Sequence, residues 1–236
     1  MTTSPAINPE LEARLHALLE ERYHHLHPFN QAMHEGSLTR EQLQGWIANR
    51  FYYQQNIPVK DALLLAKLPA RYRRVWITRI HTHDGEDENH GGLETWLRLA
   101  EAAGLRRGPV LDDSMVVPAV RFAVDAYVNF VRDRPWLEGV ASSLTELFAP
   151  RIMKVRTHAF LEHYEWIDSE GLRYFRDRQD QAPKEADHAL SIVREHATTP
   201  ELHEGVVDAL RFKCDVLWAL LDGVQLAYPG DDRPIR

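Results

Sequence analysis

The residues of this chain with the most chemistry to offer stand where apolar side chains belong. Read at helical spacing, the stretch NRFYYQQNIPVK (49–60) continues a stripe of Leu43, Trp46, Ile47, Arg50, Gln54 and Ile57, so a guanidinium and an amide interrupt a core-facing surface. The pattern recurs. Arg79 and His83, four apart, extend an aromatic stripe of Tyr72 and Trp76, and Tyr174 shares a face with Arg178. Lys213 falls in line with Leu210, Leu217 and Leu220, Tyr127 with Val120, Val124 and Val131, and Lys60 follows just past Pro58. An inward cation without a partner costs several kcal/mol, so each must meet either an internal carboxylate or an anionic ligand. Any one of them alone is more often a snorkelling edge residue or a satisfied ion pair than a ligand contact. Taken together, Arg50, Lys60, Arg79, Arg178 and Lys213 point to a basic pocket for a polycarboxylate or a phosphate, since guanidinium pairs with carboxylate in a bidentate way.

The 13 histidines supply a second signal, concentrated in RYHHLHP (His24, His25, His27) and IHTHDGEDENH (His81, His83, His90). Imidazole with carboxylate is a usual zinc or non-haem iron set. The second cluster, however, is a glycine-bearing acidic loop, and histidine beside a basic site also carries protons near neutral pH. No phosphate-cradling glycine loop, serine nucleophile elbow or dinucleotide fingerprint is present.

Helices must position these groups, because nearly every segment has helical period and no run of β-branched alternation appears. The first starts near Asn8-Pro9 and carries Leu11, Leu15, Leu18 and Leu19. The second starts at Thr39, whose TREQ has capping-box spacing, and runs toward Pro58, where the pattern predicts a kink or a break. Another follows Pro69 and ends in the polar loop HDGEDENHGG. Further helices are expected over 92–103, closed by Gly104, then 118–133, 137–149, 151–163, 168–180, 184–197 and about 200–225. Short joints and the lack of repeats favour one all-helical domain over 1–236, with residues 1–7 and 229–236 expected to be flexible.

Composition narrows the class. A chain of 236 residues with 44% hydrophobic and 27% charged residues reads as globular, and its net charge of -7 argues against a nucleic-acid surface. One cysteine, Cys214, excludes an internal disulfide and sits in the run LRFKCDVLW as a packed thiol. The N-terminus lacks a secretory pattern and no apolar run is long enough for a membrane span, so a soluble, cytoplasmic protein without a membrane partner is expected.

Three runs carry a specific resemblance: QGWIANRFYYQQNIPVKDA (44–62), RFAVDAYVNF (121–130) and SSLTELFAP (142–150). With YHHLHPF (23–29), HDG (83–85), WLRLAEAAGL (96–105), HYEWID (163–168) and FKCDVLW (212–218), they resemble the pyrroloquinoline-quinone synthases over about residues 20–228. The resemblance implies a haem-oxygenase-like helical bundle working as a homodimer, with no metal or organic cofactor. It implies ring closure and oxidation of a bicyclic quinoid amino acid by O2, with release of hydrogen peroxide and pyrroloquinoline quinone as product. It further implies carboxylate and quinone-oxygen contacts from Arg50, Gln54, Lys60, Arg79, Arg156, Tyr174, Arg178 and Lys213, and an acid/base and oxygen-handling set of Tyr23, His24, His83, Tyr127 and Glu146. His83 is the expected proton carrier, held neutral by Arg79 one turn away.

One position departs from the family. In FAPRIMKVR (148–156) a methionine, Met153, stands where the family has a histidine tied to proton transfer and oxygen handling. Methionine fills a similar volume but cannot exchange a proton. One alternative follows from it, a homologue that binds or sequesters the quinone with impaired oxidation; a second, resting on the His and carboxylate clusters, is a metal-dependent oxidase on the same bundle.

Overall fold

In the computed structural model, which describes residues 9–230, eleven α-helices pack on a shared core and no strand occurs among the described residues. They are α1 (Pro9–Arg22), α2 (Pro28–His34), α3 (Arg40–Lys67), α4 (Ala70–Asp84), α5 (Gly91–Ala102) and α6 (Arg107–Leu111). Then come α7 (Pro118–Asp133), α8 (Trp136–Ala141), α9 (Ala149–His163), α10 (Arg173–His196) and α11 (Pro200–Ala227). The all-α class is as expected. The cap expected at Asn8 and the loose end at 1–7 lie outside the described residues; of the other end, Pro229 and Gly230 have no regular structure.

The long helices start where the chain supplies caps. Thr39 accepts from the Gln42 backbone N–H at 3.2 Å while the Gln42 side chain accepts from the Thr39 N–H at 2.9 Å, a complete capping box opening α3. Thr199 accepts from the Leu202 N–H and opens α11. Both helices then run 28 residues through the middle of the bundle.

The joint expected between 180 and 184 does not form, and of the two outcomes expected at Pro58 the break does not occur. Neither Pro58 nor Pro183 ends its helix: α3 continues past the first to Lys67, and α10 joins the two helices expected over 168–180 and 184–197. An interior proline forfeits one i→i−4 hydrogen bond and costs about 3 kcal/mol, which burial of a long helix on both sides offsets. Lys60 and Glu185 therefore stay on the faces set by residues before the prolines.

The segment expected as one helix over 137–149 is instead α8 followed by a 3-10 turn over Ser142–Leu147. Ser142 donates its hydroxyl to the Gly139 carbonyl at 2.7 Å, a local bond that competes with the α-ladder. The tighter winding brings Thr145 and Glu146 to the interior. Short helices α2 and α6 and the turn His24–Leu26 have too few residues to show a period, and periodicity misses them.

Candidate active site

A narrow cavity lies between α3, α4, α9, α10, α11 and the 142–147 turn, with about 430 Å³ of free space including its mouth. Arg50 and Gln54 of α3 line it one turn apart, as the stripe predicts. His83 arrives from α4, Tyr174 and Arg178 from α10, Tyr23 and His24 from the segment after α1, and Glu146 from the 3-10 turn. Met153 of α9 also lines it. Lys60, Arg79, Tyr127, Arg156 and Lys213 are buried around this set without forming its wall.

Toward α4 and α10 the cations are neutralised by the protein. Lys60 donates to Asp61 at 2.6 Å and to the Ser143 hydroxyl at 3.1 Å, and the Trp76 indole donates to the same Asp61 oxygen. Arg178 donates to both oxygens of Glu185, at 3.0 and 2.9 Å, and to Glu146 at 2.7 Å. Arg79 donates to the Glu185 carbonyl, lies 3.7 Å from its carboxylate and stacks over Trp76. Burial works against the charge on Arg178, yet Glu146 and Glu185 hold its pKa well above the ordinary value. Burial pushes Glu185 the other way, and Arg79 and then Arg178 bring it below the usual carboxylate range.

Arg50 of α3, Arg156 of α9 and Lys213 of α11 have no carboxylate partner among the described residues. Arg50 lies over the Tyr53 ring, 3.7 Å from its centre, with Nη1 buried and unpartnered among the described residues. Neither amide atom of Gln54, a fully buried side chain close to Tyr174, makes a hydrogen bond of good geometry. Arg156 donates to the Asn30 side chain at 3.0 Å and stacks over Trp46, while its Nε has no partner. Burial, and Arg50 next, lower its pKa to about 9. Lys213 donates to the Tyr53 hydroxyl at 2.5 Å and sits 3.5 Å from the Tyr127 ring centre. Burial, then Arg50 and Lys60, depress it well below the usual lysine range.

The histidines and tyrosines among the proton-handling candidates are held in their uncharged forms. His24 accepts from the Asn30 amide on Nδ1 at 3.0 Å, which places its proton on Nε2. Burial, then Arg156 and Arg50, push it well below the ordinary histidine pKa. His83 is pushed down likewise, by burial first and Arg178 second, with Glu146 opposing. Arg79, expected to cause this shift, contributes in the expected direction, after burial, Arg178 and Lys60. Burial raises Tyr23, Tyr127 and Tyr174, leaving three protonated hydroxyls, of which Tyr127 lies 3.3 Å from the Ser142 hydroxyl.

The remaining histidines of the two clusters have separate tasks. His27 caps α2 through Nδ1 and meets Asp222 with Nε2 at 3.1 Å, and His90 pairs with Asp87 on the surface. Among the described residues no group of three or more His, Cys, Asp or Glu is placed to hold a metal ion. Cys214 is buried, with its thiol pushed up to about 12 by that burial.

Sequence reading missed Asn30, Tyr53, Asp61 and Glu185. Glu185 had a readable signal, since it lies seven residues, two turns, beyond Arg178, but the break assumed at Pro183 put it on another helix. Asn30 sits on a helix too short to reveal a face.

Residues 13–223 match the model of the TENA/THI-4/PQQC family. Curated relatives named pyrroloquinoline-quinone synthase include one from Ectopseudomonas mendocina, 55% identical over 90% of this chain and 85% of its own length. Another, from Cronobacter sakazakii, is 49% identical over 99% of this chain and 94% of its own length. Among solved structures, a TenA homologue from Pseudomonas syringae superposes with a TM-score of 0.72 at 16% identity, over 95% of this chain and 94% of that one. A domain with a haem-oxygenase-like fold from Shewanella denitrificans gives 0.70 at 16% identity, covering 97% and 96%. At that identity the likeness establishes the fold alone.

Proposed function

The chain belongs to the TENA/THI-4/PQQC family, and within it we propose that this protein is an oxidase that completes pyrroloquinoline quinone biosynthesis without metal or organic cofactor. The observation that carries the reading is the charge inventory of the cavity. Six cations (Arg50, Lys60, Arg79, Arg156, Arg178, Lys213) surround it against three carboxylates, Asp61, Glu146 and Glu185. The basic groups without a carboxylate are Arg50, Arg156 and Lys213, beside the Gln54 amide that has no partner among the described residues, and a tricarboxylate quinone supplies the missing charge and acceptors.

The residues then have distinct work. Arg50 and Gln54 grip carboxylate and quinone oxygens, while Arg178, fixed by two glutamates, presents a rigid donor to developing negative charge. Dioxygen is a triplet and reacts slowly with closed-shell molecules, but an anionic quinol gives up electrons singly. Neutral His83 and His24 accept protons from the substrate as that anion forms, and the protonated tyrosines donate hydrogen bonds to reduced oxygen. Adding the bicyclic precursor under air should give quinone absorbance together with peroxide. Tight binding of the product with no turnover would overturn the oxidase reading.

That outcome has a specific candidate cause. Met153 lines the cavity, so a thioether replaces the family's proton-carrying imidazole at the ligand itself. If Met153 blocks the reaction, Met153→His converts a binder into an oxidase; in a competent oxidase the same change alters turnover little. In keeping with the family resemblance, the active form is a cytoplasmic homodimer; among the described residues no helix is long and apolar enough to cross a membrane. Sedimentation at micromolar concentration tests the dimer.

A further inference from the structure

The acidic loop between α4 and α5 takes no part in the cavity, yet it seats one of its walls. Gly85 and Gly91 both take left-handed φ values, +84° and +94°, and their backbones lie so close that a Cβ on Gly85 would collide with the His90 carbonyl and one on Gly91 with Gly85. The clasp holds the start of α5 against His83. On this outer side lies a second cleft with about 750 Å³ of free space including its mouth, bounded by α4, the loop, the first turns of α5 and α10. His83, Tyr174 and Arg178 line both the outer cleft and the inner cavity, so these three side chains form the partition between them.

His83 is 2% exposed and its Nδ1 has no hydrogen-bond partner among the described residues. A buried polar atom left in that state costs about 1–3 kcal/mol, which one bound water removes. Room for it borders Gly92, which also lines the outer cleft: a Cβ there would stand 3.1 Å from His83 Nδ1 and 3.5 Å from Tyr174 Cε2. Any side chain at 92 would take the place of the water. The His90 side chain does not cap α5, so it leaves the first-turn N–H groups of that helix untaken.

We propose that Gly92 is a positioning residue: by carrying no side chain it lets a water from the outer cleft reach Nδ1 of His83, and the ring relays protons between cavity and solvent. A proton accepted at Nε2 and one released from Nδ1 to the water leave the imidazole neutral. The Nε2 proton then passes to reduced oxygen, and Nδ1 regains a proton from the same water. Protons thus balance without a charged intermediate being retained. The inference rests on the oxidase reading given above.

The test compares the wild type with Gly92→Ala and Gly92→Val, with Gly108→Ala as control, because a Cβ on Gly108 meets nothing within 4 Å. Steady-state turnover of the precursor should fall about tenfold in Gly92→Val and a few-fold in Gly92→Ala, with KM little changed and a larger solvent deuterium isotope effect. Independently of turnover, nitrogen-15 NMR should show the His83 ring N–H exchanging with water about tenfold more slowly in Gly92→Val. Equal exchange in the two proteins, or a loss of turnover with an unchanged isotope effect, overturns the proposal. A wild type that exchanges rapidly but never oxidises the precursor overturns the oxidase reading alone. Should Gly92→Val fail to fold, Gly92→Ala carries the same comparison.

Discussion

The two sides of the cavity hold similar residues in opposite electrostatic states. On the α4 and α10 side, Lys60, Arg79 and Arg178 are satisfied by Asp61, Glu146 and Glu185; on the α3, α9 and α11 side, Arg50, Arg156 and Lys213 rest on aromatic faces and neutral oxygens. A buried cation paired with a carboxylate is part of the framework, and its removal strands the partner. A buried cation without one is destabilising until a ligand arrives, which is how folding energy is converted into affinity. The same residue type therefore reports on structure on one side and on ligand on the other.

The largest expected effect breaks the paired side. Arg178→Ala leaves Glu146 and Glu185 without their shared cation and should lower unfolding free energy by about 3–5 kcal/mol, measured in urea. Arg50→Ala should do the reverse in the empty protein, leaving stability unchanged or higher, while weakening pyrroloquinoline quinone binding about 100-fold, or about 2.7 kcal/mol. If both substitutions destabilise the empty protein equally, the contrast between the two sides fails.

Two smaller effects follow from pH. His24 and His83 have folded-state pKa values below the unfolded value of about 6.5, so below that pH the unfolded chain binds protons that the folded one refuses. Stability is full above about pH 6.5 and should fall as pH drops, by up to about 1.4 kcal/mol per pH unit for each ring. His34, lowered to about 4 by burial, extends the loss toward that pH. A flat stability between pH 7 and 5 would contradict the assignment of neutral buried imidazoles. On the unpaired side, an anionic ligand restores the charge that burial and Arg50 suppress on Lys213, so binding should be accompanied by proton uptake. Calorimetry in buffers of different ionisation enthalpy reads this directly, and Lys213→Met should abolish it.

Much of this was legible in the sequence. The stripes through Arg50 and Gln54, Arg79 and His83, and Tyr174 and Arg178 turn inward as their spacing requires, since 3.6-residue periodicity is a local property. Tyr127 and Lys213 are likewise buried. Arg156, Tyr23, His24 and Glu146 came only from the family resemblance, and the structure places each at or behind the cavity wall. The joint expected around Pro183 did not form, and α3 runs unbroken through Pro58, because a local rule about proline yields to the packing of a long helix on both sides of it.

By itself the sequence determined an all-helical chain, the faces that turn inward, the presence of cations on those faces and the family. Only the tertiary structure decided which cations are already neutralised. Arg178 meets Glu146 across 32 residues, Arg156 meets Asn30 across 126, and Lys213 meets Tyr53 across 160. Helical period fixes the direction of a side chain from its neighbours along the chain. What stands opposite it depends on how distant helices pack, and that opposition decides whether a buried charge is paired within the protein or left for a ligand.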